Sequence, residues 1–313
     1  ANIQRKWAAN QRLLSLKHSA NGSFLGLSFM DNSSNDQSDD KTNKNSNSNS
    51  NNTTQTNDSS KKPEVPSPQQ LSEEEKEEAL RDFRQETRLL RSLRHPNIVL
   101  MLAYSTTENF EVMISELMKC SLLDVFLANA LHGTTMTKLQ KTLYATQLAQ
   151  GMNYLHTCKP PVVHRDLKPA NLLIDYAGVL KVADFGLAKV RPPPELETMK
   201  DTFTMTGETG SYRFMAPEVF RHEEYSETVD VYSYGMILYY LLAGYPPWRD
   251  MSGLVAAQEA SMGNRPIVQR SWDDRLAYLL QRCWDENPIV RPPFHVILKL
   301  LSEYSHAVFG IDA

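Results

Sequence analysis

The chain has 313 residues, of which 41% are hydrophobic and 22% are charged, and its formal net charge is −4. This composition is ordinary for a globular protein with one large or two medium domains, and the charge balance argues against a nucleic-acid-binding surface. Three widely spaced cysteines, Cys120, Cys158 and Cys283, argue against a disulfide framework or a zinc site. We therefore expect a soluble, cytoplasmic protein with free thiols.

The first apolar run, "LLSLKHS", covers Leu13–Ser19 and contains one lysine, Lys17. Taken alone, this lysine is either a surface charge at the end of a strand or a phosphate-binding group with distant partners. Residues 31–62 then follow without a single aliphatic or aromatic side chain. Such a segment cannot bury enough surface to offset its chain entropy, so we predict a disordered insertion at about 19–71.

A helix of about twenty residues is predicted after this insertion. Ser72 and Glu75 form a capping box at its start. One narrow apolar face follows at helical spacing, made by Leu80, Phe83, Thr87 and Leu90. Glu86 lies beside that face, where a solvated carboxylate is the ordinary expectation.

The next segments predict strands and then helices. "NIVLMLAYS" and "FEVMISELM" have the composition of antiparallel strands, and three helical segments follow at 139–156, 229–244 and 275–284. The uncharged run from Val231 to Trp248 approaches the length of a membrane span. Because it contains two prolines and two glycines, we interpret it as a helix buried inside a globular protein and not as a membrane span. The order of elements predicts an α+β fold with a strand-rich first lobe and a helical second lobe.

Three short motifs stand in a fixed order: "HRDLKPAN" at 164–171, "DFG" at 184–186 and "APE" at 216–218. With them the chain resembles a eukaryotic protein kinase from about residue 80 to 300. The resemblance implies the two-lobed kinase fold, with a small N-lobe over 1–117, a larger helical C-lobe over 118–305 and a short tail over 306–313. It also implies that Mg-ATP and a protein are the substrates, and that Mg²⁺ is the cofactor.

The resemblance assigns roles to four catalytic residues. Asp166 would accept the proton of the substrate hydroxyl, and Lys168 would balance charge on the moving phosphoryl group. Asn171 and Asp184 would hold Mg²⁺ through oxygen atoms, which suit a hard cation. Phosphoryl transfer needs little covalent help from a protein, so position and charge compensation carry the reaction.

Further matches indicate the type of kinase. "LKPAN", with Ser211 in "GSYRFMAPE", resembles serine/threonine kinases, and "RCWDENPIVRPPF" resembles their tyrosine-kinase-like branch. Members of that branch act in signalling cascades, so a protein substrate such as another kinase is expected by analogy. Structural residues of the family are matched as well: a buried Glu218–Arg291 ion pair, the loop-holding Asp230, and a stacked column of Leu90, Met101, Phe185 and His164.

The segment "MISELMKCSLLD" resembles the hinge that holds adenine. Main-chain groups of Glu116 and Met118 would bond the base, and Leu173 would support its face. Cys120 stands where the family often has a glycine-rich turn. Asp124 is either a ribose ligand or a helix-capping residue.

The resemblance also predicts regulation by phosphorylation. Thr202, Thr204 and Thr206 lie between the second and third motifs. Arg165 precedes the catalytic aspartate, an arrangement used to dock a phosphorylated loop. Ordinary loop threonines are the alternative interpretation.

The start of the chain departs from the family pattern. No G-x-G-x-x-G loop is present, and "NGSFLGL" has the wrong spacing. "IQRKWAANQRLLSLKHS" resembles the second and third kinase strands, so we expect a chain truncated before or within that loop. On this match Lys17 is the lysine that binds ATP phosphates and pairs with Glu86. An active kinase is therefore one hypothesis, and a pseudokinase or scaffold that only binds partners is the other.

Overall fold

The computed structural model describes residues 73–107, 110–190 and 211–311. The expectations for Lys17, the Asn/Ser-rich insertion, Ser72 and the three activation-segment threonines lie outside these residues. The predicted order of one helix, two strands and then a mainly helical part is observed, and the second part also contains five short strands that were not predicted.

The first part has one helix and one two-stranded sheet. Helix α1 runs over Glu73–Ser92, and strands β1 and β2 run over Met101–Thr106 and Glu111–Ser115. The strands are antiparallel, with Thr106 paired to Glu111 and Met101 to Ser115. The carboxylate of Glu111 accepts hydrogen bonds from Arg84 of α1 at 2.5 Å and from the Tyr104 hydroxyl at 2.8 Å, so helix and sheet are joined.

The second part is largely helical. Its strands are β3 Cys120–Ser121, β4 Val162–Val163, β5 Leu172–Ile174, β6 Leu180–Val182 and β7 Lys189–Val190. Its helices are α2 Leu122–His132, α3 Lys138–Thr157, α4 Pro217–Phe220, α5 Thr228–Ala243, α6 Gly253–Ser261, α7 Asp274–Cys283 and α8 Phe294–Phe309. The strands form two antiparallel sheets, β3–β5–β6 and β4–β7, and an isolated bridge pairs Ile98 with Val182 of β6. The α+β class is confirmed.

Helix α5 is the centre of the second part. Every residue from Val229 to Leu241 is buried, which explains why the sequence there is uncharged apart from Asp230. The helix ends at Gly244, whose φ of 78° is a left-handed conformation that favours glycine. The prediction of a buried helix is confirmed, and among the described residues no helix combines the length and apolarity needed to cross a membrane.

Main-chain hydrogen bonds join the segment before β1 to strand β6. Val99 donates its main-chain N–H to the carbonyl of Val182 at 3.0 Å, and Val182 donates its own N–H to the carbonyl of Asn97 at 2.9 Å.

A buried ion pair lies within the second part. Arg291 donates to both carboxylate oxygens of Glu218 at 2.6 and 3.0 Å, and both side chains are buried. The predicted ion pair is therefore present.

Candidate active site

The loop of the first motif begins where β4 ends, and its main chain is bound by Asp230. The carboxylate of Asp230 accepts hydrogen bonds from the main-chain N–H groups of His164 and Arg165, both at 2.8 Å, and from the ring Nε2 of His156 at 2.9 Å. Burial raises the pKa of Asp230, but these hydrogen bonds and the histidines outweigh it and lower the pKa below its usual value. Arg165 has a left-handed φ of 68°. The two main-chain bonds to Asp230 stabilise this strained turn, as the resemblance predicted.

Three side chains of the loop meet around Asp166. The amide nitrogen of Asn171 donates to the main-chain carbonyl of Asp166 at 2.9 Å and to its Oδ2 at 3.0 Å. Lys168 places its Nζ 2.9 Å from the same Oδ2. Burial raises the pKa of Asp166, and the ammonium of Lys168 opposes that rise. The carboxylate is thus fixed in direction while its second oxygen, Oδ1, carries neither of these two contacts.

Lys168 also reaches the segment that precedes the third motif. Its Nζ donates to the Ser211 hydroxyl at 2.9 Å, across 43 positions of sequence. Ser211 opens a 3₁₀ turn, Ser211–Phe214, that leads into α4. One lysine therefore joins the base, the catalytic loop and the Ser211 segment.

Asp184 and Phe185 stand opposite this loop. Asp184 is exposed and adopts a left-handed φ of 63°, a conformation that a non-glycine residue holds only at a cost. Phe185 is buried, and its ring lies 5.1 Å from that of His164. Leu90 and Met101 are buried in the same core cluster, as the predicted column requires.

Glu86 of α1 lies against the second motif. Its Oε1 accepts the main-chain N–H of Phe185 at 3.2 Å. Burial, with the nearby charge of Asp184, raises the pKa of Glu86 from an ordinary 4.5 to about 7, and the bond from Phe185 opposes the rise. Glu86 is therefore half-buried against the second motif and is not the solvated carboxylate expected of an isolated glutamate. A cation placed beside this carboxylate would stabilise its charged form.

The fold and the three motifs can now be compared with known proteins. The sequence profile of a family described as protein tyrosine and serine/threonine kinase matches residues 53–301. The chain belongs to this protein kinase family. The predicted resemblance to serine/threonine kinases of the tyrosine-kinase-like type is confirmed at the family level.

Curated relatives agree with the family. Serine/threonine-protein kinase VIK of Arabidopsis thaliana is 41% identical over 227 residues, which are 72% of this chain and 50% of VIK. Serine/threonine-protein kinase STY17 of the same plant is 37% identical over 227 residues, which are 72% of this chain and 38% of STY17. Probable serine/threonine-protein kinase drkD of Dictyostelium discoideum is 37% identical over 70% of this chain and 16% of its own length. The chain thus matches half or less of the length of these relatives.

The hinge of this kinase lies between β2 and β3. The carboxylate of Glu116 accepts the main-chain N–H of Leu100 at 2.8 Å and binds Lys181 at 2.7 and 2.9 Å. The main-chain N–H of Glu116 donates to the carbonyl of Leu100 at 2.9 Å, so that group is occupied. Any bond from Glu116 to a purine base is therefore restricted to its carbonyl oxygen.

The other two predicted nucleotide contacts flank this hinge. Leu173 is half-buried between the buried neighbours Leu172 and Ile174, because successive strand residues face opposite sides of the sheet. Its side chain therefore faces away from the core side of β5. Met118 follows Glu116 closely in the hinge and is also half-buried.

Asp124 acts as a helix-capping residue, which is one of the two roles predicted for it. Its carboxylate accepts the main-chain N–H of Ser121 at 2.8 Å, and the Ser121 hydroxyl accepts the N–H of Asp124 at 3.1 Å. This is a reciprocal capping box at the start of α2.

The activation segment is described up to Val190 and again from Ser211. Arg165 donates to the carbonyl of Leu187 at 2.6 Å and to the Tyr225 hydroxyl at 2.8 Å. Lys189 lies nearby: burial and the guanidinium of Arg165 lower the pKa of Lys189. Two cations side by side form a positive region at the base of the segment.

The donor set around the cleft fits the divalent cation that the family implies. Asn171 uses its amide nitrogen on Asp166, which leaves its amide oxygen as the group able to bind a metal. Burial raises the pKa of Asp166, the ammonium of Lys168 opposes that rise, and the charge of Asp184 adds to it. The amide oxygen of Asn171 and the carboxylate of Asp184 are oxygen ligands of the kind that Mg²⁺ prefers.

The sequence did not reveal three side chains that shape this site. Lys181 fixes the hinge glutamate, Tyr225 orients Arg165, and Arg213 donates to the carbonyls of Pro247 and Trp248 at 2.8 and 2.6 Å. Each contact joins segments at least 34 positions apart, and the side chains of Lys181, Tyr225 and Arg213 themselves lie outside the three short motifs. For Lys181, alternation in β6 between the buried Leu180 and Val182 was the one signal that placed it on the cleft side.

Proposed function

We propose that this kinase domain transfers the γ-phosphoryl group of ATP to serine and threonine hydroxyls of proteins. The observation that carries the proposal is the contact of Lys168 with both Asp166, at 2.9 Å, and Ser211, at 2.9 Å. A base, a cation and a hydroxyl-bearing segment for the incoming peptide are thereby assembled on one side of the cleft.

Each of these groups has a task in the reaction. Asp166 accepts the proton of the substrate hydroxyl while the hydroxyl oxygen attacks the γ-phosphorus. The bond between the γ-phosphorus and the β–γ bridging oxygen breaks at the same time, and ADP is released. Lys168 lies beside Asp166 and compensates negative charge that spreads over the transferred oxygens. Asn171 keeps Asp166 in one orientation through two hydrogen bonds. Positioning of this kind is the main catalytic contribution available to a protein in phosphoryl transfer.

The nucleotide would be held by residues on both sides of the cleft. The carbonyl of Glu116 and the main chain of Met118 would bond the base, while Leu173 would pack on its face. Lys17 would bind the phosphates and pair with Glu86, whose carboxylate faces the cleft. Mg²⁺, held by Asn171 and Asp184, would neutralise phosphate charge when bound.

The substrate is proposed to be a protein, including another kinase in a signalling cascade. Three curated relatives carry the name serine/threonine-protein kinase, which supports the residue type of the acceptor. A scaffold without catalysis would not need a base oriented by both an amide and a lysine.

A phosphoryl-transfer assay tests the proposal with the whole chain. The chain is incubated with Mg-ATP labelled in the γ-phosphate and with casein as a generic acceptor. We expect labelled phosphoserine and phosphothreonine and roughly a thousandfold less of both with Asp166→Asn. Glu303→Gln, which alters an exposed carboxylate of α8, should leave full activity. Binding of Mg-ATP without transfer, unchanged by Asp166→Asn, would establish the scaffold instead.

A further inference from the structure

A second cavity lies far from the active site, between helices α3, α5, α7 and α8. Its volume is about 140 Å³. Four leucines from three of the helices, Leu238, Leu242, Leu276 and Leu301, contribute its apolar walls. Leu242 is twelve positions along α5 from Asp230, which corresponds to roughly 18 Å of helix axis. The cavity is therefore separate from the nucleotide cleft.

A lysine lies in the wall of this apolar cavity. Lys141 of α3 is half-buried, and its Nζ donates to the carbonyl of Leu242 at 3.0 Å. An ammonium group has three donors, so this bond leaves it further hydrogen-bonding capacity. Within residues 73–107, 110–190 and 211–311, no carboxylate forms a salt bridge with Lys141. Burial without such a partner lowers the pKa of Lys141.

Positively charged side chains outnumber negatively charged ones in the lining of the cavity. Lys138 lines it beside Lys141, and Asp273 is the acidic residue among the lining side chains. Asp273 is already bound to Arg275, with 2.9 Å between Oδ2 and Nη2, and it caps the start of α7. The lining therefore carries two lysines and one carboxylate, and that carboxylate is engaged by Arg275. This excess of positive charge favours an anion.

The walls limit the size and shape of that anion. Trp272 and Tyr304 add aromatic surface to the leucines. A cavity of about 150 Å³ with leucine-type walls is large enough for a benzene ring. An inorganic anion such as phosphate would bury its charge against apolar walls, which is unfavourable. A ring or short branched chain that carries one carboxylate satisfies both the walls and the lysine.

We propose that this cavity binds a small amphipathic carboxylate, with its apolar part among the leucines and its carboxylate on Lys141. The competing explanation is structural: Lys141 caps the C-terminal end of α5, where carbonyls lack helical partners. A capping lysine alone would affect stability and would recognise no ligand. The proposal does not depend on kinase activity, and its test measures binding only.

The test uses the whole chain with 4-methylbenzoate as the probe and 4-methylbenzamide as the neutral isostere. Binding is followed by calorimetry and by ¹H–¹⁵N shifts of α3 and α8. We expect saturable 1:1 binding of the carboxylate, with a Kd of roughly millimolar or tighter, and at least tenfold weaker binding of the amide. Lys141→Met should weaken carboxylate binding at least tenfold, because a charge-assisted hydrogen bond is lost.

Two further variants make the result specific. Val308→Trp fills the exposed rim of the cavity from α8 and should abolish binding, whereas Lys299→Met removes an exposed lysine of the same helix and should leave it unchanged. Equal binding of acid and amide would overturn the proposal, as would binding that survives both Lys141→Met and Val308→Trp. Loss of stability in Lys141→Met, with no binding by the unaltered chain, would show that the lysine only caps α5.

Discussion

The main-chain N–H of Phe185 donates to the carboxylate of Glu86 at 3.2 Å, which joins helix α1 to the second motif. The contact is made by an acid whose pKa is raised to about 7 by burial and by the charge of Asp184. Helix α1 therefore carries a carboxylate that titrates near neutral pH unless a cation approaches it. Lys17 is the cation predicted from the sequence.

The first prediction concerns pH and this carboxylate. A folded-state pKa above the ordinary value gives a stabilising contribution that is complete below about pH 4.5 and is lost as the pH rises through about 7. In Lys17→Met, which removes the predicted partner, the urea midpoint should fall as the pH rises from about 4.5 to about 7 and should level off above that. Lys17→Met combined with Glu86→Gln should show a flatter profile, because the neutral amide does not titrate. Identical slopes in the two variants would contradict the assignment of this titration to Glu86.

The second prediction concerns the support of the catalytic loop. In Asp230→Asn, one acceptor oxygen becomes an amide NH₂ that faces a main-chain N–H donor. We expect the free energy of unfolding to fall by about 2–4 kcal/mol, since a buried donor loses its partner. Urea titration measures the loss, and Asp250→Asn at an exposed position should change it by less than about 0.5 kcal/mol. A tolerated Asp230→Asn would mean that the loop is fixed by other contacts.

The third prediction concerns the buried ion pair of Glu218 and Arg291. Removing one partner, as in Arg291→Met, leaves the other charge buried, and we expect a loss of about 3–5 kcal/mol. Glu218→Met should cost a similar amount. The double variant should lose much less than the sum, because no lone charge remains. A double-mutant cycle by urea denaturation measures the coupling, and additive losses would refute it.

The fourth prediction concerns Ser211, whose hydroxyl binds Lys168. Ser211→Ala should lower kcat/KM for protein substrates about tenfold to a hundredfold, in line with the loss of one charge-assisted hydrogen bond. Thermal stability should be nearly unchanged, because Ser211 lies in a partly exposed turn. Ser211→Thr keeps the hydroxyl and should restore most of the activity. An alanine variant as active as the original chain would remove Ser211 from the site.

The fifth prediction concerns phosphorylation of the activation segment. Alanine at Thr202, Thr204 and Thr206 together should lower activity about tenfold or more, since no phosphate could then dock the activation segment by charge on Arg165. Phosphatase treatment should inactivate the original chain and have no further effect on the triple variant. Thr134→Ala, an exposed threonine between α2 and α3, is the control. Unchanged activity of the triple variant would favour ordinary loop threonines.

Much of the site could be predicted from the sequence because its chemistry is local. His164, Asp166, Asn171 and Asp184 lie in two short motifs, so the sequence alone indicates that they belong to one site, and their catalytic and metal-binding roles stay predictions. The long helices followed from apolar periodicity: the predicted segment 229–244 is observed as Thr228–Ala243. Short strands were harder, and the predicted strand "NIVLMLAYS" begins only at Met101, because Val99 bonds instead to Val182 of β6.

Other features depend on side chains brought together over long distances in the chain. Lys181 and Glu116 are 65 positions apart, and Arg165 and Tyr225 are 60 apart. Lysine, glutamate and tyrosine are common surface residues, so neither pair has a sequence signal comparable to the three motifs. The apolar face predicted for α1 was also only partly right: Leu80 is 37% exposed, while Ala79 is buried.

The Glu116–Lys181 contact has a consequence for how hinge variation would act. The carboxylate of Glu116 is bound to Lys181 and to the Leu100 amide, so it is committed within the protein. A base in the cleft would be recognised there by peptide groups, which no substitution of a side chain removes. Substitution of the Glu116 side chain would therefore disturb its contacts with Lys181 and Leu100 while leaving those peptide groups in place. Stability of the hinge and recognition of a base would be separable properties of this kinase domain.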